Sequence, residues 1–393
     1  MRIHFLLASN EENSILRLVV EYANALSSLG AEVTVSYPLV SFWDHALWQA
    51  RRASRARPRT VRAIARTIAF TWFAVIPTVR GLFLRGVSWE GKRRYRLDPR
   101  VRLNWFFVLP NASNMPDADA TILLQNYFLL HATSLLPQKG RIIGSVHFDC
   151  REALMDAQEY SRAWASEFVR IERMFDVPRF AVSPSVKESA ESLGIGVDQV
   201  IPNGINHQEF FPRVRSNESA GPLMVMLFCA LGFPKGQDFG ASVVRELKQG
   251  FSNDRVRFVS IGAVKIEYRS LFHKNLGYLS GSAYSRALQQ ADIFIYPSLR
   301  DGWPAPPLEA MACGAALCST AVQGVVGYGV HGQNMLLAKP NDLKQMVENV
   351  RLLIEDETLR DRVRSGGLET VKQYRWNKSA ASLLEFLKEV CKN

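Results

Sequence analysis

Apolar residues along this chain follow two rhythms, a strand-like one and a helical one, which take turns over most of its length. Residues 2–8 alternate and then run apolar, which predicts a strand, and a polar loop from Ser9 to Ser14 follows. Ile15, Leu18, Val19, Tyr22, Ala23 and Leu26 recur at helical spacing, with Gly30 as a C-terminal stop. Val33 to Tyr37 predicts a second strand. Further strands are expected at 120–124, 141–146 and 180–183, with helices at 154–175 and 185–193. Val200 to Gly204 ends this half in a turn signal, and the polar, Pro- and Gly-containing stretch 212–222 reads as a linker. A second series follows: strand 223–229, helix 236–249, strand 255–261, helix 282–290, strand 292–296, a helix from 306 and strand 315–319. The last stretch predicts helices at 342–354, 357–373 and 377–390.

Alternation of this kind predicts an α/β protein with parallel sheets covered by helices on both faces. The expected domains are a Rossmann-like one over 1–211 and a second over 223–375, with a last helix, 376–393, crossing back to the first. Two such domains are expected to face a ligand cleft. The length of 393 residues fits two domains at roughly 100–200 residues each.

Charge alters this picture in one place. Residues 51–100 hold fourteen Lys/Arg against two acids, Glu90 and Asp98, so this segment alone accounts for the formal charge of +11. It mixes Arg51, Arg52, Arg55, Arg57 and Arg59 with Trp72, Phe73, Phe83 and Leu84. Basic flanks around an apolar face suit an anionic membrane surface or a lipid-linked acceptor. A solvated helical layer on the first domain is the plainer alternative. No recognition module supports nucleic acid. No run of about 18 apolar residues exists, so no membrane-spanning helix is expected, and MRIHFLLASNEEN makes a poor secretory signal. The expected location is cytoplasmic, peripheral at the inner membrane face. Cys150, Cys229, Cys313, Cys318 and Cys391 form no CxxC pair and read as reduced thiols. Asp117-Ala118-Asp119 precedes its strand and reads as a surface turn rather than a metal-binding DxD.

The densest chemistry lies in Tyr296 to Thr320, YPSLRDGWPAPPLEAMACGAALCST. A strand leads into a loop and the loop into a helix, with Asp301 on the loop and Glu309 about one turn into the helix. Unpaired N–H groups at a helix start favour phosphate. A carboxylate there can accept hydrogen bonds from vicinal ribose hydroxyls. Taken alone, Glu309 also fits a helix-start glutamate favoured by the macrodipole, and Asp301 a turn aspartate before glycine.

The stretch resembles the E-x7-E signature of glycosyltransferase family 4, with Asp301 and Glu309 as its two acids. Supporting matches are IPNGINHQEFFP at 201–212, Lys235-Gly236, Leu276-Gly277-Tyr278, and the run from Ala291 to Ser298. The resemblance covers about 1–38 and 110–393. It implies a GT-B fold and a retaining transfer of sugar from a nucleotide-diphosphate sugar to a hydroxyl of a glycan or lipid-linked acceptor. It further implies roles: Glu309 for the ribose, Asp301 for the donor sugar, Lys235 for the diphosphate, and His147 near the donor sugar. Gly277 and Tyr278 would line the base pocket, and Gly302 and Trp303 the donor site. No metal and no cofactor are expected, since Lys235 and helix N-termini supply positive potential.

The chain departs from the family in four places. The first acid is Asp301, one methylene short. Pro304 replaces a glycine and has no N–H to offer. Ala230 stands where an arginine is usual, and Asn13-Ser14 replace a Gly-Gly pair. Two other readings stay open on this sequence: a GT-B epimerase or phosphorylase, and a non-catalytic descendant that binds nucleotide-sugar or membrane.

Overall fold

The computed structural model describes residues 1–7, 14–38, 97–106, 115–124, 140–154, 159–213, 221–230 and 235–392. The basic segment up to residue 96, Asn13 and most of the linker 212–222 lie outside the described residues.

The first sheet is wholly parallel. Its strands are β1 (Arg2–Leu6), β2 (Glu32–Pro38), β3 (Arg102–Phe106), β4 (Ala120–Leu123), β5 (Arg141–Val146), β6 (Arg179–Ala181) and β7 (Gln199–Val200). Their order is β3-β2-β1-β4-β5-β6-β7. The order starts in the middle, moves outward one way, then returns to the middle and moves the other way. That is the doubly wound Rossmann arrangement. Helix α1 (Ser14–Ser28) makes the first crossover, and Leu16, Val19, Val20, Tyr22, Ala23 and Leu26 bury its apolar face. Further helices are α2 (Cys150–Leu154), α3 (Glu159–Glu172) and α4 (Pro184–Ser192).

The second sheet repeats the plan. Its strands are β8 (Leu223–Cys229), β9 (Val256–Gly262), β10 (Lys274–Asn275), β11 (Ile293–Tyr296), β12 (Ala316–Thr320) and β13 (Leu336–Ala338). The order β10-β9-β8-β11-β12-β13 again winds outward both ways from a central pair, here β8 and β11. Strands buried on both faces need unbroken apolar runs, and LMVMLFC, IFIY and ALCST supply them. Helices α5 (Gln237–Gly250), α6 (Gly281–Leu288), α7 (Ala305–Ala312), α8 (Gln323–Val326), α9 (Leu343–Glu355), α10 (Glu357–Val371) and α11 (Trp376–Val390) complete the layer.

The chain divides into two compact units. One comprises Met1–Ser145, Met174–Pro178 and Leu384–Asn393; the other comprises Val146–Arg173 and Arg179–Leu383. In the first unit the end of the chain is tied down where the Cys391 thiol donates to the Asp119 carbonyl at 3.4 Å. The Asp119 carboxylate accepts from the Arg2 backbone N–H at 2.7 Å and lies 3.1 Å from the Arg2 guanidinium. These bonds, the backbone one foremost, hold its pKa below the ordinary value. Asp119 is thus engaged at a strand start.

Strand register sets one buried polar group. His4 on β1 lies beside both neighbouring strands, with Nε2 2.8 Å from Ser36 Oγ and Nδ1 3.2 Å from Thr121 Oγ1. Burial pushes its pKa down to about 3, so the imidazole is neutral. In the second unit Arg179 and Glu172 form a buried pair at 2.5 Å, and the Arg179 guanidinium also donates to the Glu172 carbonyl. All five cysteines are free, and burial pushes the thiols of Cys150, Cys229 and Cys313 up to about 12. They stay protonated and unreactive at neutral pH.

Candidate active site

In a doubly wound sheet the crevice for a ligand opens beyond the carboxyl ends of the strands where the winding reverses. In the second sheet those strands are β8 and β11. The residues that follow them are Ala230 to Lys235 and Pro297 to Asp301. Topology therefore brings Lys235 and Asp301 to one place. Lys235 Nζ donates to Asp301 Oδ2 at 2.7 Å. The Tyr296 hydroxyl donates to the same oxygen, also at 2.7 Å.

Backbone chemistry explains how Lys235 reaches that loop. Gly236 caps α5 in the left-handed region, with φ at 64°. A Cβ on it would lie 1.9 Å from the Pro297 carbonyl oxygen. Only glycine lets the chain turn there and pass so close to the loop after β11. Gln237, next along and buried, pins the start of α5 to both neighbouring strand ends. Its amide donates to the carbonyls of Ala230 at 3.2 Å and Ala263 at 2.7 Å, and its oxygen accepts from the Lys265 N–H at 2.6 Å. Lys265 in turn pairs with Asp238, which also accepts from the Tyr268 hydroxyl at 3.0 Å. Sequence reasoning missed Gln237, whose role depends on where three loops meet.

Glu309 is on the fifth residue of α7 and is 2% exposed. Helix α7 begins after Pro304, and two of its first three residues are Pro306 and Pro307. Prolines have no N–H, so Ala305 alone among these offers an amide at this helix start. The start of α5 keeps its amides at Gly236, Gln237 and Asp238, directly beside Lys235. The phosphate-favouring terminus is thus that of α5.

Gly302 is held on several sides. A Cβ there would meet the His147 carbonyl oxygen at 2.5 Å and Phe148 Cα at 3.0 Å. Ser183, which caps α4 by accepting from Val186 N–H at 3.2 Å, donates its hydroxyl to the Gly302 carbonyl at 3.1 Å. Gly324, near the start of α8, donates its N–H to the Asp301 carbonyl at 2.9 Å. The backbone of His147 and the acidic motif are therefore packed together within one unit. The His147 ring meets Phe180 edge-on at 6.3 Å, and burial lowers its pKa to about 4. It is a neutral imidazole at physiological pH.

Trp303 is buried, and its indole N–H donates to the Asn203 carbonyl at 3.2 Å. Its ring contacts Tyr328 at 5.2 Å and Tyr374 at 5.3 Å, and Tyr328 donates to the Pro304 carbonyl at 3.2 Å. This aromatic cluster fixes the loop from below. Gly277 adopts φ 67°, and its carbonyl accepts from the Gly262 N–H at 2.8 Å, which anchors the loop after β10 to the end of β9. Tyr278, next to it, is 69% exposed. Among the described residues no group of three or more His, Cys, Asp or Glu is arranged to hold a metal ion.

Residues 217–370 match the model of the family "Glycosyl transferases group 1". Over this region the chain resembles group 1 glycosyltransferases. The matched region holds Lys235, Gly277, Tyr278, Asp301, Gly302, Trp303 and Glu309. Over 232 residues the chain is 29% identical to N,N'-diacetylbacillosaminyl-diphospho-undecaprenol alpha-1,3-N-acetylgalactosaminyltransferase of Campylobacter jejuni, covering 54% of this chain and 60% of that one. A shorter match, 33% over 104 residues, joins it to O-antigen chain mannosyltransferase B of Escherichia coli, with 26% of each chain covered. The chain thus spans less than two thirds of the curated relatives it matches. Among solved structures it superposes on HepE from Anabaena with a TM-score of 0.67 at 15% identity, over 99% of this chain and 100% of that one. Sucrose-phosphate synthase from Thermosynechococcus elongatus gives 0.66 at 12%, with 99% of each covered. These likenesses show the fold, the α/β GT-B fold expected from the sequence.

Proposed function

We propose that this protein is a retaining glycosyltransferase that moves a sugar from a nucleotide-diphosphate sugar to a hydroxyl of a glycan or lipid-linked acceptor. One observation carries the reading. Lys235 and Asp301 meet at the reversal point of the second sheet, on the loop that leads into the helix bearing buried Glu309. Each group then has a task. Glu309 accepts hydrogen bonds from the ribose hydroxyls. Lys235, with the amides at the start of α5, neutralises the diphosphate, and positive charge there helps it depart. Asp301 accepts from a hydroxyl of the donor sugar. The bond from the anomeric carbon to the phosphate oxygen breaks, and its electron pair leaves with the nucleotide. The acceptor oxygen bonds to the same face of that carbon, and its proton passes to the departing phosphate. Charge neutralisation by Lys235 and main-chain amides makes a metal ion unnecessary on this reading.

The undecaprenol diphosphate in the name of the Campylobacter relative supports a lipid-linked acceptor. HepE has been solved with UDP-glucose, which supports a nucleotide-sugar donor. The basic segment 51–100 is in keeping with a chain working at the inner face of an anionic membrane. Among the described residues no helix is long and apolar enough to cross one.

A thermal-shift panel of UDP-, GDP-, dTDP- and ADP-sugars tests the reading. A ligand at about 100 times its Kd stabilises the folded chain by about 2.7 kcal/mol. That corresponds to a rise in Tm of several degrees. One base is expected to stand out. No shift with any donor contradicts the proposal.

A further inference from the structure

Tyr296 ends β11 and is fully buried, its ring against Phe228 with centroids 5.5 Å apart. A phenylalanine would fill that volume without a polar atom to satisfy. Burying a hydroxyl is costly unless it finds a partner. Here the partner is Asp301 Oδ2, five residues on, at 2.7 Å. Lys235 takes the same oxygen, and among the described residues Oδ1 accepts no hydrogen bond. The carbonyl of Asp301 is itself held by the Gly324 N–H, so backbone and one carboxylate oxygen are both fixed. Asp301 has one fewer side-chain torsion than glutamate. Clamped by two donors, it has a single oxygen left to offer, in one direction.

We propose that Tyr296 is a positioning residue for glycosyl transfer, whose buried phenol holds Asp301 Oδ2 beside Lys235 so that Oδ1 receives a hydroxyl of the donor sugar. The inference rests on the transferase reading above. Burial, and then the charge of Asp301, raise the phenol's pKa well above its usual value, so the hydroxyl remains a donor throughout the working range. Tyr296 touches no reacting atom; it acts through Asp301.

The test is a double-mutant cycle on the full chain with Tyr296→Phe, Asp301→Ala and both together. Donor kcat/KM, the affinity for the bare nucleoside diphosphate, and Tm are measured for each. A hydrogen bond to a charged group is worth about 10- to 100-fold, so Tyr296→Phe should lower kcat/KM by about that factor. Affinity for the nucleoside diphosphate, which carries no sugar, should change less than about 3-fold. In the Asp301→Ala background the tyrosine change should have no further effect. Tyr296→Met, flexible and also without a hydroxyl, repeats the comparison should the phenylalanine pack badly. Two results overturn the proposal: full activity in Tyr296→Phe, or an equal loss with and without Asp301. Absence of any transfer or donor binding in the wild-type chain instead removes the transferase reading, and this inference with it.

Discussion

Lys235 and Asp301, 66 positions apart, meet at 2.7 Å because a glycine stands between the lysine and its helix. Gly236 turns the chain through the left-handed region while passing against the Pro297 carbonyl. Both features are lost with any side chain. Gly236→Ala is expected to cost about 1–2 kcal/mol for the backbone conformation alone, and more for the contact that must open. Tm should fall by several degrees and donor use should fall with it. Gly277→Ala is the stability comparison: its φ is similarly positive, at 67°, but nothing lies within 4 Å of the added carbon. Its Tm should drop less. Equal drops would show that the Pro297 contact is easily relieved.

Glu309→Ala should lower donor use at least ~100-fold. Two hydrogen bonds to a carboxylate are worth roughly 1.5–3 kcal/mol each, and about 1.4 kcal/mol is a factor of ten. Glu309 is buried at the middle of α7, so circular dichroism must first show that the variant folds. A folded variant with near-normal turnover contradicts the ribose assignment.

Much of this was legible in the chain, and the reasons differ by element. Strands β8, β11 and β12 lie in the middle of their sheet, so burial on both faces writes them as plain apolar runs. Edge strands are written weakly. Strand β3, RLNWF, mixes charge with aromatics, and β10 is only Lys274 and Asn275. Neither stands out by period. The helix expected over 154–175 is met among the described residues by α3, Glu159–Glu172, and the short α2 before it was not foreseen. Asp301 and Glu309 could be found because their spacing is a local signature. Gln237 could not, since it matters through partners brought near by topology, and Tyr296 reads in the sequence as one more residue of a buried apolar strand. Ser183, expected as the end of a strand, is the cap of α4 and holds Gly302.

Acid should destabilise the chain partly through His4. Its folded pKa of about 3 lies below the ordinary 6.5, so the unfolded chain binds the extra proton between those values. Stability is therefore full above about pH 6.5 and is lost as pH falls toward 3, by up to about 1.4 kcal/mol per pH unit. His147, held at about 4, acts in the same direction over a narrower span. His4→Gln should flatten the fall in urea-unfolding stability between about pH 6 and 4 relative to wild type. Identical slopes would show that His4 is not what the acid limb reports.

The basic segment should bind anionic vesicles. Each Lys or Arg near such a surface contributes on the order of 1 kcal/mol, within a Debye length of about 8 Å at physiological salt. Replacing Arg51, Arg52, Arg55, Arg57 and Arg59 with Gln should reduce co-sedimentation with phosphatidylglycerol vesicles at low salt. If wild type and variant both stay in the supernatant, the segment does not serve the membrane. If both pellet equally, the contact lies elsewhere.

The stereochemistry of the product tests the central claim most directly. With the donor picked out by thermal shift, proton NMR of the earliest product reads the anomeric coupling before any equilibration, with and without EDTA. Departure of the phosphate and entry of the acceptor on one face predict an anomeric configuration the same as the donor's. Charge neutralisation by Lys235 and the α5 amides predicts an unchanged rate in the chelator. An inverted product, or activity lost to EDTA and restored by magnesium or manganese, contradicts the account.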